Sequence, residues 1–292
     1  MKKPALILFG DPHRAFAKEA LDRFRHFVSD RAQVLANCFE TACPMETLQQ
    51  ADYAVVFGGD GTILSAARQL CQTRVPVIGV NVGKLGFLAE FSIDELIALF
   101  DQIAAGQVLI EKRMVVQCRL QRQEKEIFSS TAVNDVVITA GMPFSMIDLK
   151  ISVQGQPLAE CMGDGVIVST PTGSTAYNLS AGGPILSAHL SALVLTPICP
   201  HSLSFRPIVI AAERRLEITP IRVNDQTTLL LDGQVQRQVQ TGDLITVQKL
   251  DGQFLVVNNP LRTQWDTLAT KLNWAGRPVY NHRSSDSKGK TP

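Results

Sequence analysis

Through the first third of the chain, short apolar runs alternate with amphipathic stretches. "PALILFG" (4–10) is a buried-strand pattern that ends in glycine. "AFAKEALDRFRHFVSD" (15–30) sets Phe16, Ala20, Leu21, Phe24, Phe27 and Val28 on one helical face. "ADYAVVFGG" and "VPVIGVN" (75–81) are again short buried strands, with the helical "TILSAARQLCQ" between them. "IDELIALFDQIAAG" (93–106) closes the series, and its glycine is a stop signal. Strands alternating with helices predict an α/β N-terminal domain over residues 1–107, its parallel sheet covered on both faces.

After about residue 108 the pattern changes. "LIEKRMVVQCRLQ", "STAVNDVVITA", "MIDLKISVQ", "DGVIVST", "SALVLTPICP", "RPIVIA", "RLEITPI", "TTLLLDG", "DLITVQKL" and "QFLVVNN" follow one another, separated by Gly, Pro, Asn and Asp. They predict an all-β, sandwich-like C-terminal domain over 108–260. "LRTQWDTLATKLNW" reads as a helix, extending over 261–278 and packing back on the first domain, and 281–292 as a flexible polar tail.

Composition narrows this little. A length of 292 residues is comfortable for two domains, and 45% hydrophobic with 19% charged residues is an ordinary globular balance. A net charge of +1 offers no field to nucleic acid or to an anionic membrane, so neither is an expected partner. The six cysteines lack a C-x-x-C pair or a neighbouring histidine at metal-ligand spacing, which argues against zinc. "MKKPALILFGDPHR" is too short in apolar residues for a signal peptide, and no stretch approaches the ~18 apolar residues of a membrane span. A soluble, cytoplasmic protein with reduced, core-filling cysteines is expected.

Candidate chemistry enters at "FGGDGTIL" (57–64), where three glycines crowd one aspartate at the end of a predicted parallel strand. Gly58, Gly59, Gly61 and Thr62 can offer backbone N–H groups to phosphate at a helix start. Asp60 would repel that phosphate unless it takes a proton from an attacking hydroxyl, or it merely caps the helix. "STPTGSTAY" (169–177) places hydroxyl side chains where they can bond phosphate or ribose; a Ser/Thr-rich turn is the plainer alternative. The polar pair Asn134 and Asp135 interrupts an apolar run, as a ligand contact or as a bulge. No P-loop and no G-x-G-x-x-G fingerprint is present, and "GVNVGKLGF" has the wrong spacing for one.

"GGDGT" (58–62), "ND" (134–135), "MGDG" (162–165), "TPTGSTAYNLSAGGP" (170–184) and "DGQ" (232–234) occur in this order on an α/β half followed by a β half. In these motifs the chain closely resembles the bacterial NAD kinases over almost its whole length, with an NAD kinase/diacylglycerol kinase-like fold. The resemblance implies ATP-dependent phosphorylation of NAD at the 2′-hydroxyl of its adenosine ribose, giving NADP and ADP. It makes Asp60 the general base, with Gly61 beside it. It sets Asn134 and Asp135 on the ribose hydroxyls or adenine, and Asp164 on the nicotinamide half. Thr175, Ala176, Tyr177, Asn178, Leu179 and Ser180 would line the adenosine pocket, with Gln234 reaching in from a later turn. Mg²⁺ would arrive with ATP, and the chain would form a homodimer or homotetramer.

Two positions depart from the family pattern. Met162 and Ser145 stand where basic residues are common, which removes positive charge near the dinucleotide. A lipid kinase shares "GGDGT" but needs an acyl groove, and "STPTGSTAY" speaks against it. A non-catalytic dinucleotide sensor could dispense with Asp60, and this chain has kept it.

Overall fold

The computed structural model describes residues 3–11, 13–38, 42–83, 86–142 and 145–274. The first part of the chain runs β1 (Ala5–Gly10), α1 (Ala15–Val28), β2 (Gln33–Cys38), α2 (Met45–Gln49), β3 (Tyr53–Phe57), α3 (Asp60–Leu70), β4 (Val77–Val80) and α4 (Ile93–Ala104). Strands then dominate: β5 (Ile110–Arg122), β6 (Lys125–Ala132), β7 (Asp135–Thr139), β8 (Ile147–Val153), β9 (Gln156–Gly163) and β10 (Gly165–Ser169). A 3-10 turn (Gly173–Thr175) and the short α5 (Tyr177–Ser180) come next. The chain continues through β11 (Ala192–Ile198), β12 (Ile208–Ala211), β13 (Leu216–Arg222), β14 (Thr228–Leu231), β15 (Val235–Gln238), β16 (Leu244–Val257) and α6 (Gln264–Leu272).

In the first half, β2-β1-β3-β4 form a parallel sheet. Side chains of a strand point alternately to its two faces. Leu6 and Leu8 accordingly meet Phe24 of α1 and Phe100 of α4, while Ile7 and Phe9 share a core with Ile63 and Leu64 of α3. Burial on both faces explains why these strands read as unbroken apolar runs.

In the second half two sheets pack face to face. Val116, Leu149, Ile151, Ile218 and Val247 from one sheet join Val136, Val168, Leu195 and Leu231 from the six-stranded sheet β12-β11-β10-β7-β14-β15 in one core. The larger sheet is continuous with the parallel one, because β16 pairs with β4 through Val256 and Val77 and with β13 and β5 further along.

Several local expectations change. "DLITVQKL" and "QFLVVNN" are one strand, since both pair with β5 and the intervening Asp251-Gly252 is absorbed as a register shift instead of turning the chain. Phe16 is exposed at the first turn of α1, outside the buried face. The elements β2 and α2 have no apolar run to announce them: β2 is a largely exposed edge strand and α2 buries one leucine. Cys38, Cys43, Cys71, Cys118 and Cys161 are buried, Cys38 beside Cys43, but Cys199 is exposed, so the six are not uniformly core residues. The described part of the C-terminal helix ends at Leu272, and residues 275–278 and 281–292 of the expected helix and tail lie outside the described residues. Among the described residues no helix is long and apolar enough to cross a membrane.

Candidate active site

At the carboxyl end of β3 the chain turns through Gly58 and Gly59 into α3, whose first residue is Asp60. A Cβ at Gly58 would run into the Thr62 side chain, whereas one at Gly59 would meet open space. Asp60 is not a cap: the N-cap is Gly59, with no side-chain cap hydrogen bond. Its carboxylate instead accepts from the backbone N–H groups of Phe87 (2.9 Å), Leu88 (2.9 Å) and Ala89 (3.1 Å). Gly86 permits this approach, because a Cβ there would collide with the Asp60 carboxylate. The Lys271 ammonium of α6 lies 3.8 Å from Asp60 Oδ2.

Asn134 and Asp135 sit where the chain crosses between sheets. β6 belongs to the ten-stranded sheet and ends at Ala132, and β7 opens the six-stranded sheet at Asp135. A crossover leaves backbone donors without ladder partners. The Asp232 carboxylate supplies them, accepting from the N–H groups of Val133 (3.1 Å), Asn134 (2.7 Å) and Asp135 (3.2 Å). Arg68 of α3 lies 3.7 Å from Asp232 and donates to Gln234 Oε1 at 2.5 Å, while Gln234 Nε2 donates to the Gly61 carbonyl at 2.7 Å. The "DGQ" turn thus ties the crossover to the first turns of α3.

Burial, then the adjacent Asp232, push the Asp135 carboxyl up to about 7. Asp232 is also raised by burial, against the opposing hydrogen bonds from residues 133–135 and the Arg68 charge. Burial lowers Arg68, and Asp232 offsets this in part.

The segment after β10 braces the crossover from the other side. Thr170 Oγ1 donates to the Val133 carbonyl at 2.5 Å, and a Cβ at Gly173 would collide with the Asn134 backbone. Asn178, expected in the adenosine pocket, is fully buried. Its amide bonds the Ser174 and Pro184 carbonyls, and its oxygen accepts from Thr196 at 2.6 Å, so its polar groups hold the turn together. Tyr177 and Ser180 are exposed, and Leu179 is half-buried.

Asp60, Phe87, Leu88, Asn134, Thr172, Thr175, Ala176 and Lys271 line one cleft of about 250 Å³. Asp60, Asn134, Thr175 and Ala176 are therefore brought together, with Gly61, Asp135 and Gln234 immediately behind. Met162 and Asp164 are not. In β10, Ser169 pairs with Asp135 but Gly165 pairs with Thr139, so Asp164 lies beyond the far end of that strand. Four strand steps are about 13 Å. There Asp164 contacts the Cys199 thiol and donates its N–H to the Ile198 carbonyl. The Ser145 carbonyl accepts from Asn224, also away from the cleft. A larger groove of about 660 Å³ is lined by β5–β6 and β14–β15 residues such as Arg122, Phe128 and Arg237, and holds none of the candidate residues. Lys271, Phe87, Arg68 and Asp232 join the site without having stood out in the sequence as site residues; of the four, only Asp232 lies in one of the motifs.

A carboxylate fixed beside a glycine-lined helix start thus faces hydroxyl side chains across a cleft between an α/β half and a β sandwich. The ATP-NAD kinase N-terminal domain model matches residues 17–108 and the ATP-NAD kinase C-terminal domain model matches 133–259. The NAD kinase of Rhodopirellula baltica is 35% identical over 94% of this chain and 88% of its own length, and that of Geotalea daltonii 42% over 82% and 85%. The chain belongs to the NAD kinase family.

Among solved structures, yeast NADH kinase complexed with NADH superposes with a TM-score of 0.84 at 25% identity, covering 96% of this chain and 90% of that one. The NAD kinase of Archaeoglobus fulgidus in complex with ATP superposes with a TM-score of 0.72 at 26% identity, covering 92% and 98%.

Proposed function

We propose that the protein transfers the γ-phosphoryl group of ATP to the 2′-hydroxyl of the adenosine ribose of NAD, with Asp60 as general base. The observation that carries the role of Asp60 is the state of its carboxylate. An ionised carboxylate offers about four lone-pair positions. Three are taken by the N–H groups of Phe87, Leu88 and Ala89, which fix its plane and leave one acceptor position for a hydroxyl, on the Oδ2 that Lys271 faces at 3.8 Å. Ribose hydroxyls are poor nucleophiles, so positioning and deprotonation carry much of the rate.

Asn134 and Asp135 take the adenosine end, with Thr175, Ala176 and the exposed Tyr177 and Ser180 around it. The helix dipole at Gly58–Thr62 favours phosphate oxygens, but the N–H groups of Gly58 and Thr62, expected as phosphate donors, are already taken by the Val80 and Gly59 carbonyls. Among the described residues no cluster of three or more His, Cys, Asp or Glu side chains could hold a metal ion. Mg²⁺ enters as part of the Mg·ATP substrate.

Residues 1–107 and 108–260 act as the two domains on either side of the cleft, with the C-terminal helix closing it. Met162 and Asp164 reach a dinucleotide from a second copy of the chain, in a cytoplasmic homodimer or homotetramer. The exposed Ile208 and Val209 of the edge strand β12 offer apolar surface for such pairing. Incubation with NAD, Mg²⁺ and ATP, with the product read by an NADP-specific dehydrogenase, tests the reading. NADP formation in proportion to ADP is expected, and ATP turnover without NADP would overturn it.

A further inference from the structure

Lys271 has no place in any motif, yet its ammonium lies 3.8 Å from Asp60 Oδ2 and 4.9 Å from the centre of the Phe87 ring. It is the one cation lining the Asp60 cleft among the described residues. Other nearby cations are engaged elsewhere: Arg68 with Gln234 and Asp232, and Arg113 with Glu111 at 2.7 Å. Phosphoryl transfer gathers negative charge on the non-bridging oxygens of the moving group. Asp60 is negative too, so the cleft needs a fixed positive charge between them.

The helix that presents Lys271 is firmly seated. Thr263 and Asp266 form a reciprocal capping box at its start, and Thr267 and Leu268 are buried. Just before it, Arg262 donates to the Glu90 carbonyl at 2.9 Å and pairs with Glu95 at 2.5 Å, and Asn259 donates to the Glu90 carbonyl at 3.0 Å. These contacts anchor α6 to the segment that follows the Asp60-bound residues 87–89. A lysine in the last turn also suits the helix dipole, which is the plain structural reason for its presence. That reason does not account for its aim at Asp60.

We propose that Lys271 is a catalytic residue whose ammonium leaves its pairing with Asp60 to hold the non-bridging oxygens of the transferring phosphoryl group. This rests on the NAD-phosphorylation reading above. The 2′-oxygen forms a bond to the γ-phosphorus as the bond from that phosphorus to the β–γ bridging oxygen breaks. The hydroxyl proton passes to Asp60, and ADP leaves with the bridging oxygen. Lys271 keeps its proton throughout and contributes N–H donors and charge.

The test compares wild type, Lys271→Met, Lys271→Arg and Lys271→Ala in steady-state kinetics and in direct NAD binding, with folding followed by circular dichroism. Wild-type NADP formation first establishes the reaction; its absence would remove the function itself, independently of what Lys271 does. The expected result is a kcat lowered about 50-fold in Lys271→Met, with the Kd for NAD within about threefold of wild type. Lys271→Arg should keep at least about a fifth of the rate, and added ethylamine should restore part of it to Lys271→Ala. If Lys271→Met does not fold, Lys271→Gln takes its place in the comparison. A neutral variant with more than about half the wild-type kcat, or a loss of NAD binding matching the loss of rate without amine rescue, would make Lys271 a tether of α6 and overturn the proposal.

Discussion

Asp135 is a residue whose chemistry is strongly altered by its surroundings. Burial and the neighbouring Asp232 carboxylate raise it to about 7, far above the ~3.9 of an exposed aspartate. Between those values the unfolded chain has released this proton and the native protein has kept it. Stability from this group is therefore full below about pH 4 and is lost as pH rises through about 7. Asp135→Asn should lose less stability than wild type between about pH 5 and about pH 8, as read from urea midpoints at each pH. Equal losses in the two proteins would mean that Asp135 does not carry the raised value.

Among elements, the connection of the β14–β15 turn to the β6–β7 crossover and to α3 has the largest local consequence. One buried carboxylate, Asp232, serves three consecutive backbone donors and faces Arg68. Asp232→Ala leaves these donors and the guanidinium without that partner, a change expected to cost about 2–4 kcal/mol. Surviving enzyme should bind NAD more weakly, since the binding role proposed for Asn134 and Asp135 rests on that support. Calorimetric unfolding and NAD titration check both; an unchanged Tm would contradict the clamp.

The parallel half of the fold was legible because its strands are buried on both faces and read as apolar runs, and Asn134-Asp135 was legible as a polar break in such a run. The edge strand β2 was not, being mostly exposed, and the bulged β16 resembled two strands around a turn. Asp232 meets residues 97–99 positions away, a pairing that no local pattern encodes. Lys271 becomes a site residue only when α6 folds back over the cleft.

In the whole molecule, the candidate residues fall into two groups at opposite ends of β10, with Asp60 and Asn134 at one and Met162 and Asp164 at the other. A homo-oligomer that joins these ends should lose specific activity on dilution in parallel with its dissociation, followed by light scattering. A fully active monomer would contradict that assembly. The central claim concerns Asp60, whose bonds to residues 87–89 give it a loop-holding role beside the catalytic one proposed for it. Asp60→Asn separates the two when turnover and NAD binding are measured on the same folded preparation. The account predicts kcat lowered by about 100-fold or more with the Kd for NAD nearly unchanged. Near wild-type turnover, or loss of binding that alone explains the loss of rate, would contradict it.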